Sequence, residues 1–140
     1  MKHLSAFIAM LFMFMLPACD NNDKYDQLPS QIQAFVSQYY PGISVSSYDF
    51  SDGVYHVTLS DSAYLEFNSS VAWTTIDGRG STLPAELIYD QMPPQLYQFL
   101  ETTSNTGSVY SASRNSEIYT LKLLDSTAIY DIATKTTRLT

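Results

Sequence analysis

The sequence predicts an α+β fold built as a tandem duplication. Each unit is one helix followed by a four-stranded antiparallel sheet, with both helices on one face and the other sheet face open. Three observations lead there. YHVTLSDS at residues 55–62 is answered by YTLKLLDS at residues 119–126, sixty-four positions later. Each half opens on a proline followed by apolar residues at helical spacing, and then changes to short alternating runs separated by turn residues. The same offset carries Pro29 onto Pro93, so helix start, strand face and turn agree at one spacing.

In chain order, residues 1–18 have a basic start, an apolar run from Leu4 to Leu16 and a small-residue end, the layout of a secretory signal peptide. The run is shorter than the roughly 20 apolar residues that a spanning helix needs. Leu16, Pro17, Ala18 and Cys19 resemble the lipobox of bacterial lipoproteins, which makes Cys19 the expected lipidation site. Cys19 is also the only cysteine, so no disulfide can form within the chain. Residues 19–27 are polar and aperiodic, as suits a tether between lipid and domain. The expected location is the cell envelope, lipid-anchored and facing the periplasm or the surface.

The first repeat is expected over residues 28–77. Pro29 suits the opening turn of a helix whose Ile32, Phe35, Val36 and either Tyr39 or Tyr40 share one face, and Pro41 with Gly42 stops it. Residues 43–50, 54–60, 63–68 and 71–76 then read as four strands. Residues 78–91, beginning with Gly78, Arg79, Gly80 and Ser81, read as the linker. The second repeat covers residues 92–140. There Leu96, Phe99 and Leu100 answer Ile32, Phe35 and Val36, and Tyr119, Leu121, Leu123 and Ile129 answer Tyr55, Val57, Leu59 and Leu65 without a gap. Asn105 and Thr106 replace Pro41 and Gly42, and Thr137 replaces Trp73.

Charge and composition exclude several functions. Without residues 1–18, six basic side chains face fourteen acidic ones, and so acidic a domain repels phosphate backbones; nucleic acid is not an expected partner. His56 is the single histidine beyond residue 18, too few for a zinc site once Cys19 is lipidated, and its position opposite the core face gives no reason to build a catalytic triad on it. Asp49 and Asp52 beside Gly53 put two carboxylates at a hairpin, but the ligand loop of a calcium site is missing and turn chemistry accounts for them. No enzyme activity, metal or cofactor is expected.

Strand parity supplies the candidate site. If Tyr55, Val57, Leu59, Leu65 and Phe67 point to the helices, then Val54, His56, Tyr64 and Glu66 point away; the same offset sends Ala128 and Tyr130 outward. Tyr39, Tyr55, Tyr97 and Tyr119 are expected to pack helices on sheet with their hydroxyls at the rim. His56, Tyr64, Trp73 and Tyr130 are therefore the expected partner-binding residues, because aromatic side chains on an uncovered sheet mark an interaction patch. Ser62 and Ser126, each after an aspartate at a hairpin turn, resemble the acceptors of O-linked glycans in some Gram-negative envelope proteins.

Leu28-Pro29, Tyr40-Pro41-Gly42, the Tyr-x-Val-x-Leu strand and the run from Trp73 to Gly78 together resemble the PepSY-like, beta-lactamase-inhibitor-like family of Gram-negative envelope proteins. The resemblance covers nearly the whole chain after the signal peptide. It implies two α+β repeats whose sheets join side by side in the BLIP-like manner, and it brings no catalytic residues. It also implies a non-enzymatic envelope lipoprotein that binds a protein or peptide on its open sheet face, with inhibition of a secreted enzyme as one form. The alternative is a structural or stress-response envelope component without a ligand site; a Ser/Thr-lined face would favour it.

Overall fold

Pro29 and Pro93 each stand immediately before a helix, where a missing N–H leaves nothing unsatisfied. In the computed structural model, which describes residues 28–140, helix α1 spans Ser30–Tyr39, α2 spans Ala85–Gln91 and α3 spans Pro94–Thr102. The expected signal peptide, the tether and Cys19 lie outside the described residues. The Pro29 carbonyl accepts hydrogen bonds from the backbone N–H groups of Ile32 and Gln33, and Tyr40 N–H closes the last turn on the Val36 carbonyl before Gly42 turns the chain at a φ of 80°. None of these helices is long and apolar enough to cross a membrane.

Eight strands follow one another in space as they do in sequence: β1 Val45–Ser51, β2 Val54–Leu59, β3 Tyr64–Asn68, β4 Trp73–Asp77, β5 Ser111–Arg114, β6 Ile118–Lys122, β7 Thr127–Asp131 and β8 Thr136–Leu139. All neighbours are antiparallel, and β4 pairs with β5, so one sheet runs through both halves. Every strand contributes to one cross-strand row on the helix side: Tyr48, Val57, Leu65, Ile76, Ala112, Leu121, Ala128 and Leu139. Against its middle the helices bury Ile32, Val36, Leu87, Ile88, Leu96 and Leu100. Phe35 of α1 meets Phe67 edge-on at 5.3 Å, Gln91 of α2 accepts the indole N–H of Trp73, and Gln95 of α3 accepts the hydroxyl of Tyr130, so all three helices cover the same face.

Three details differ from the sequence expectation. Residues 78–91 are loop only up to Pro84; the rest is α2, whose Leu87 and Ile88 are fully buried. The β6–β7 turn is one residue shorter than the β2–β3 turn. Leu59 N–H bonds to the Ala63 carbonyl across Ser60, Asp61 and Ser62, whereas Leu123 N–H bonds to the Ser126 carbonyl across Leu124 and Asp125. Deleting one residue moves each later side chain to the opposite face. Ala128 and Tyr130 therefore point to the helices and Ile129 points out, which corrects the outward placement of Tyr130. Trp73 needs the same correction: an irregularity in the β3–β4 ladder pairs it with Phe67 on the helix side, where it is 3% exposed. A further ladder irregularity, in β1, lies between Val45 and Ser47.

The core has one polar flaw. The Tyr40 hydroxyl is buried without a hydrogen-bond partner among the described residues. An unsatisfied buried hydroxyl opposes folding, so Tyr40→Phe is expected to raise stability by about 1 kcal/mol. A higher urea midpoint at unchanged slope would show it.

Candidate functional site on the open sheet face

The opposite face carries the alternate residues of the same strands. One row reads Asp49, His56, Glu66, Thr75, Ser113, Thr120, Ile129 and Arg138; the next reads Ser47, Thr58, Tyr64, Asp77, Ser111, Lys122 and Thr127. Hydroxyls fill the centre, carboxylates lie toward β1–β4, and cations lie toward β6 and β8. No described helix covers these rows, since all three helices pack on the other side.

Within this face β2 and β3 assemble a polar cluster. Tyr64 donates its hydroxyl proton to Glu66 Oε2 at 2.6 Å, and His56 Nδ1 lies 2.7 Å from the same hydroxyl. The phenol has one proton and Glu66 receives it, so Nδ1 must carry a hydrogen and donate to the Tyr64 oxygen. His56 Nδ1 is 3.7 Å from Glu66 Oε2. The His56 and Tyr64 rings lie 6.3 Å apart and nearly parallel, and the Arg79 guanidinium sits 4.9 Å from the centre of the Tyr64 ring. Arg79 in turn approaches Asp77 at 4.0 Å. A donor chain closed on a carboxylate holds the two ring planes in fixed relation on the sheet surface.

Burial, the hydrogen bond to Glu66 and the charge of Glu66 push the Tyr64 hydroxyl up to about 12, with Arg79 acting the other way. At neutral pH it stays protonated, a hydrogen-bonding group and not a nucleophile. Burial first, and then the charge of Asp61, push Tyr40 to about 12 as well. An unfolded tyrosine ionises near 10. Stability from these two groups is therefore complete below pH 10 and is lost as pH rises from 10 toward 12, because the unfolded chain releases the protons first. Thermal melting followed against pH should show this alkaline decline, and it should be smaller in Tyr40→Phe.

Of the expected site residues, His56 and Tyr64 lie together on the open face. Trp73 and Tyr130 lie on the covered face, in contact with Tyr119 at 6.1 and 6.0 Å between ring centres. Ser62 stands exposed at a φ of 78°, after Asp61 has accepted the Ala63 N–H; Ser126 is half-buried. Glu66 and Arg79 were not singled out as site residues. The alternation of Tyr64, Leu65, Glu66 and Phe67 carried the signal for Glu66, whereas nothing local placed Arg79 over Tyr64. No group of three or more histidine, cysteine, aspartate or glutamate side chains among the described residues is arranged to hold a metal ion.

Comparison with known proteins agrees with this architecture. The profile of the family described as "Putative beta-lactamase-inhibitor-like, PepSY-like" matches residues 53–135. Among solved structures, a "putative periplasmic protein" of the DUF2874 family from Bacteroides vulgatus is similar with a TM-score of 0.68 at 19% identity, over 83% of this chain and 91% of that one. A "putative calcium-regulated periplasmic protein" from Bacteroides thetaiotaomicron gives 0.67 at 19% identity, over 84% and 94%. A further "putative periplasmic protein of unknown function" from Bacteroides vulgatus gives 0.66 at 20%, over 85% and 96%. At these identities the likeness shows the fold. No curated protein matches the sequence significantly.

Proposed function

The chain belongs to the PepSY-like, beta-lactamase-inhibitor-like family, and from that premise we propose that it is a non-enzymatic envelope lipoprotein that holds a protein or peptide partner on its open sheet face. The observation that carries this reading is the His56–Tyr64–Glu66 chain, an ordered polar cluster on a sheet surface over which no described element packs. Recognition there is polar, with hydroxyl rows and flanking charges around one imidazole and one phenol. Inhibition of a secreted enzyme is one form that such binding takes.

Anchoring through Cys19 would hold this face at the membrane, with the envelope location supported by the signal-peptide layout and the lipobox. Blocking lipoprotein signal peptidase with globomycin, or Cys19→Ser, should leave precursor or a soluble form; unchanged detergent partitioning after both would refute the anchor. Tandem duplication is supported by the registers of β1–β2 and β5–β6, which coincide at an offset of sixty-four, and by those of β3–β4 and β7–β8, where Leu65 with Ile76 matches Ala128 with Leu139 at sixty-three. A glycan at Ser62 or Ser126 would add a discrete mass to the peptide that carries it.

The test of binding is retention of envelope proteins on the immobilised domain. Wild type should retain a partner that His56→Ala and Tyr64→Phe lose while their circular dichroism stays unchanged. The Thr75, Ser113 and Thr120 row favours a second reading, a structural envelope component. Retention of no partner by any of the three proteins would support that reading.

A further inference from the structure

We infer that the notch between the β3–β4 and β5–β6 turns, on the helix side of the sheet and away from the open face, is a binding site for a peptide or protein carboxylate. The notch has a volume of ≈ 330 Å³ and is lined by Asn68, Trp73, Arg114, Asn115, Ser116 and Tyr119 among others. At its centre the Arg114 guanidinium lies 3.9 Å from the centre of the Trp73 ring and 5.9 Å from that of Tyr119. Arg114 Nε donates to the Trp73 carbonyl at 2.7 Å, and Nη1 donates to the Tyr119 hydroxyl at 3.3 Å. The fork is thus held in one plane on an aromatic floor, with little side-chain entropy left to lose on binding.

The remaining hydrogen-bonding capacity in this notch is biased to donors. Ion pairs among the described residues are His56 with Glu66 and Asp77 with Arg79, so Arg114 has no carboxylate partner there. Both asparagine side-chain oxygens are occupied by their own turns: Asn68 accepts from Ser70 and Ala72 N–H, and Asn115 accepts from Glu117 and Ile118 N–H. What each asparagine still offers is its amide N–H pair. The Trp73 indole N–H is taken by Gln91, and the Tyr119 oxygen accepts from Arg114, which leaves its own O–H to donate. A positive fork beside amide and phenol donors suits a planar anion with two acceptor oxygens, and a carboxylate has that geometry. The surrounding domain is acidic, so a bare anion gains nothing from the long-range field and recognition depends on this local geometry.

Trp73 is the only tryptophan of the chain, so its fluorescence reports on the notch directly. N-acetylglycylglycine, N-acetylaspartate amide and the uncharged N-acetylglycylglycinamide are titrated at constant ionic strength. The expected result is a saturable change with a half-point on the order of 1–10 mM for at least one carboxylate, none with the amide, and at least a tenfold weakening in Arg114→Gln. Arg114→Lys, which keeps the charge but not the fork, should fall between. A response to the first probe alone would identify a chain terminus as the source of the carboxylate, and a response to the second would extend it to acidic side chains. If Arg114→Gln unfolds, the side-chain amide signals of Asn68 and Asn115 in the wild-type NMR spectrum serve instead, shifting with carboxylate and not with amide. An equal response to the amide, full binding by a folded Arg114→Gln, or no saturable change with either carboxylate overturns the proposal.

Discussion

Tyr130→Ala and Trp73→Ala are each expected to lower stability by about 3–5 kcal/mol, the range for deleting a buried aromatic ring. Tyr130 is 2% and Trp73 3% exposed, and they lean from opposite sides on the Tyr119 ring. Removing Tyr130 also leaves Gln95 without the hydroxyl that it accepts, and removing Trp73 takes away the surface on which Arg114 lies. Urea denaturation should show a large drop in midpoint for both variants. Tyr64→Phe loses the two hydrogen bonds of its hydroxyl, to Glu66 and from His56, on a partly exposed face and should cost about 1–2 kcal/mol, well below the loss for either buried ring. A folded, undiminished Tyr130→Ala protein would mean that β7 has the opposite register.

Gly78→Ala is expected to be as damaging, by about 3 kcal/mol, for a reason confined to the backbone. A Cβ at Gly78 would collide with the Ser81 carbonyl, a main-chain atom that no rotamer change can move away. The turn is tied on both sides: Gly78 N–H donates to the Tyr110 carbonyl, Ser81 N–H donates to the Gly78 carbonyl, and Leu83 N–H reaches the Val109 carbonyl. These bonds join the end of β4 to the approach of β5, where the two halves of the sheet meet. An alanine there must open the turn and loosen that seam. Gly80→Ala, at a φ of 96° but with open space around it, is strained without a collision and should cost about 1 kcal/mol. Hydrogen exchange should show β4 and β5 losing protection first in Gly78→Ala.

Much of the architecture was legible because it rests on local chemistry. Pro29 and Pro93 mark helix starts within one residue, and the Tyr55, Val57, Leu59 parity holds because each strand has one face to bury. Helix α2 falls inside the expected linker: Leu83, Leu87, Ile88 and Met92 have helical spacing, but the Gly78–Ser81 turn signals stand directly before this short helix. The larger error came from one residue. The octets at 55–62 and 119–126 align through their aspartate and serine, yet the chain turns one residue earlier at the second octet, and that is enough to bring Tyr130 inward. Trp73 was displaced by a ladder irregularity that no pattern of alternation records. At the candidate site, parity placed His56, Tyr64 and Glu66 on one face; the hydrogen-bond chain among them depends on register between two strands, and Arg79 reaches Tyr64 from a loop.

Site-directed photo-crosslinking in the native envelope tests the proposed binding role of the open face most directly. A photoreactive side chain is placed at Thr75 or Thr120, in the middle of the open face, and for comparison at Tyr89, which is 67% exposed on α2 on the opposite side. The account predicts a discrete protein adduct from Thr75 and Thr120, displaced by excess wild-type domain, lost when Tyr64→Phe or His56→Ala is added, and absent from Tyr89. Adducts from Tyr89 alone, or open-face adducts indifferent to Tyr64 and His56, would contradict it.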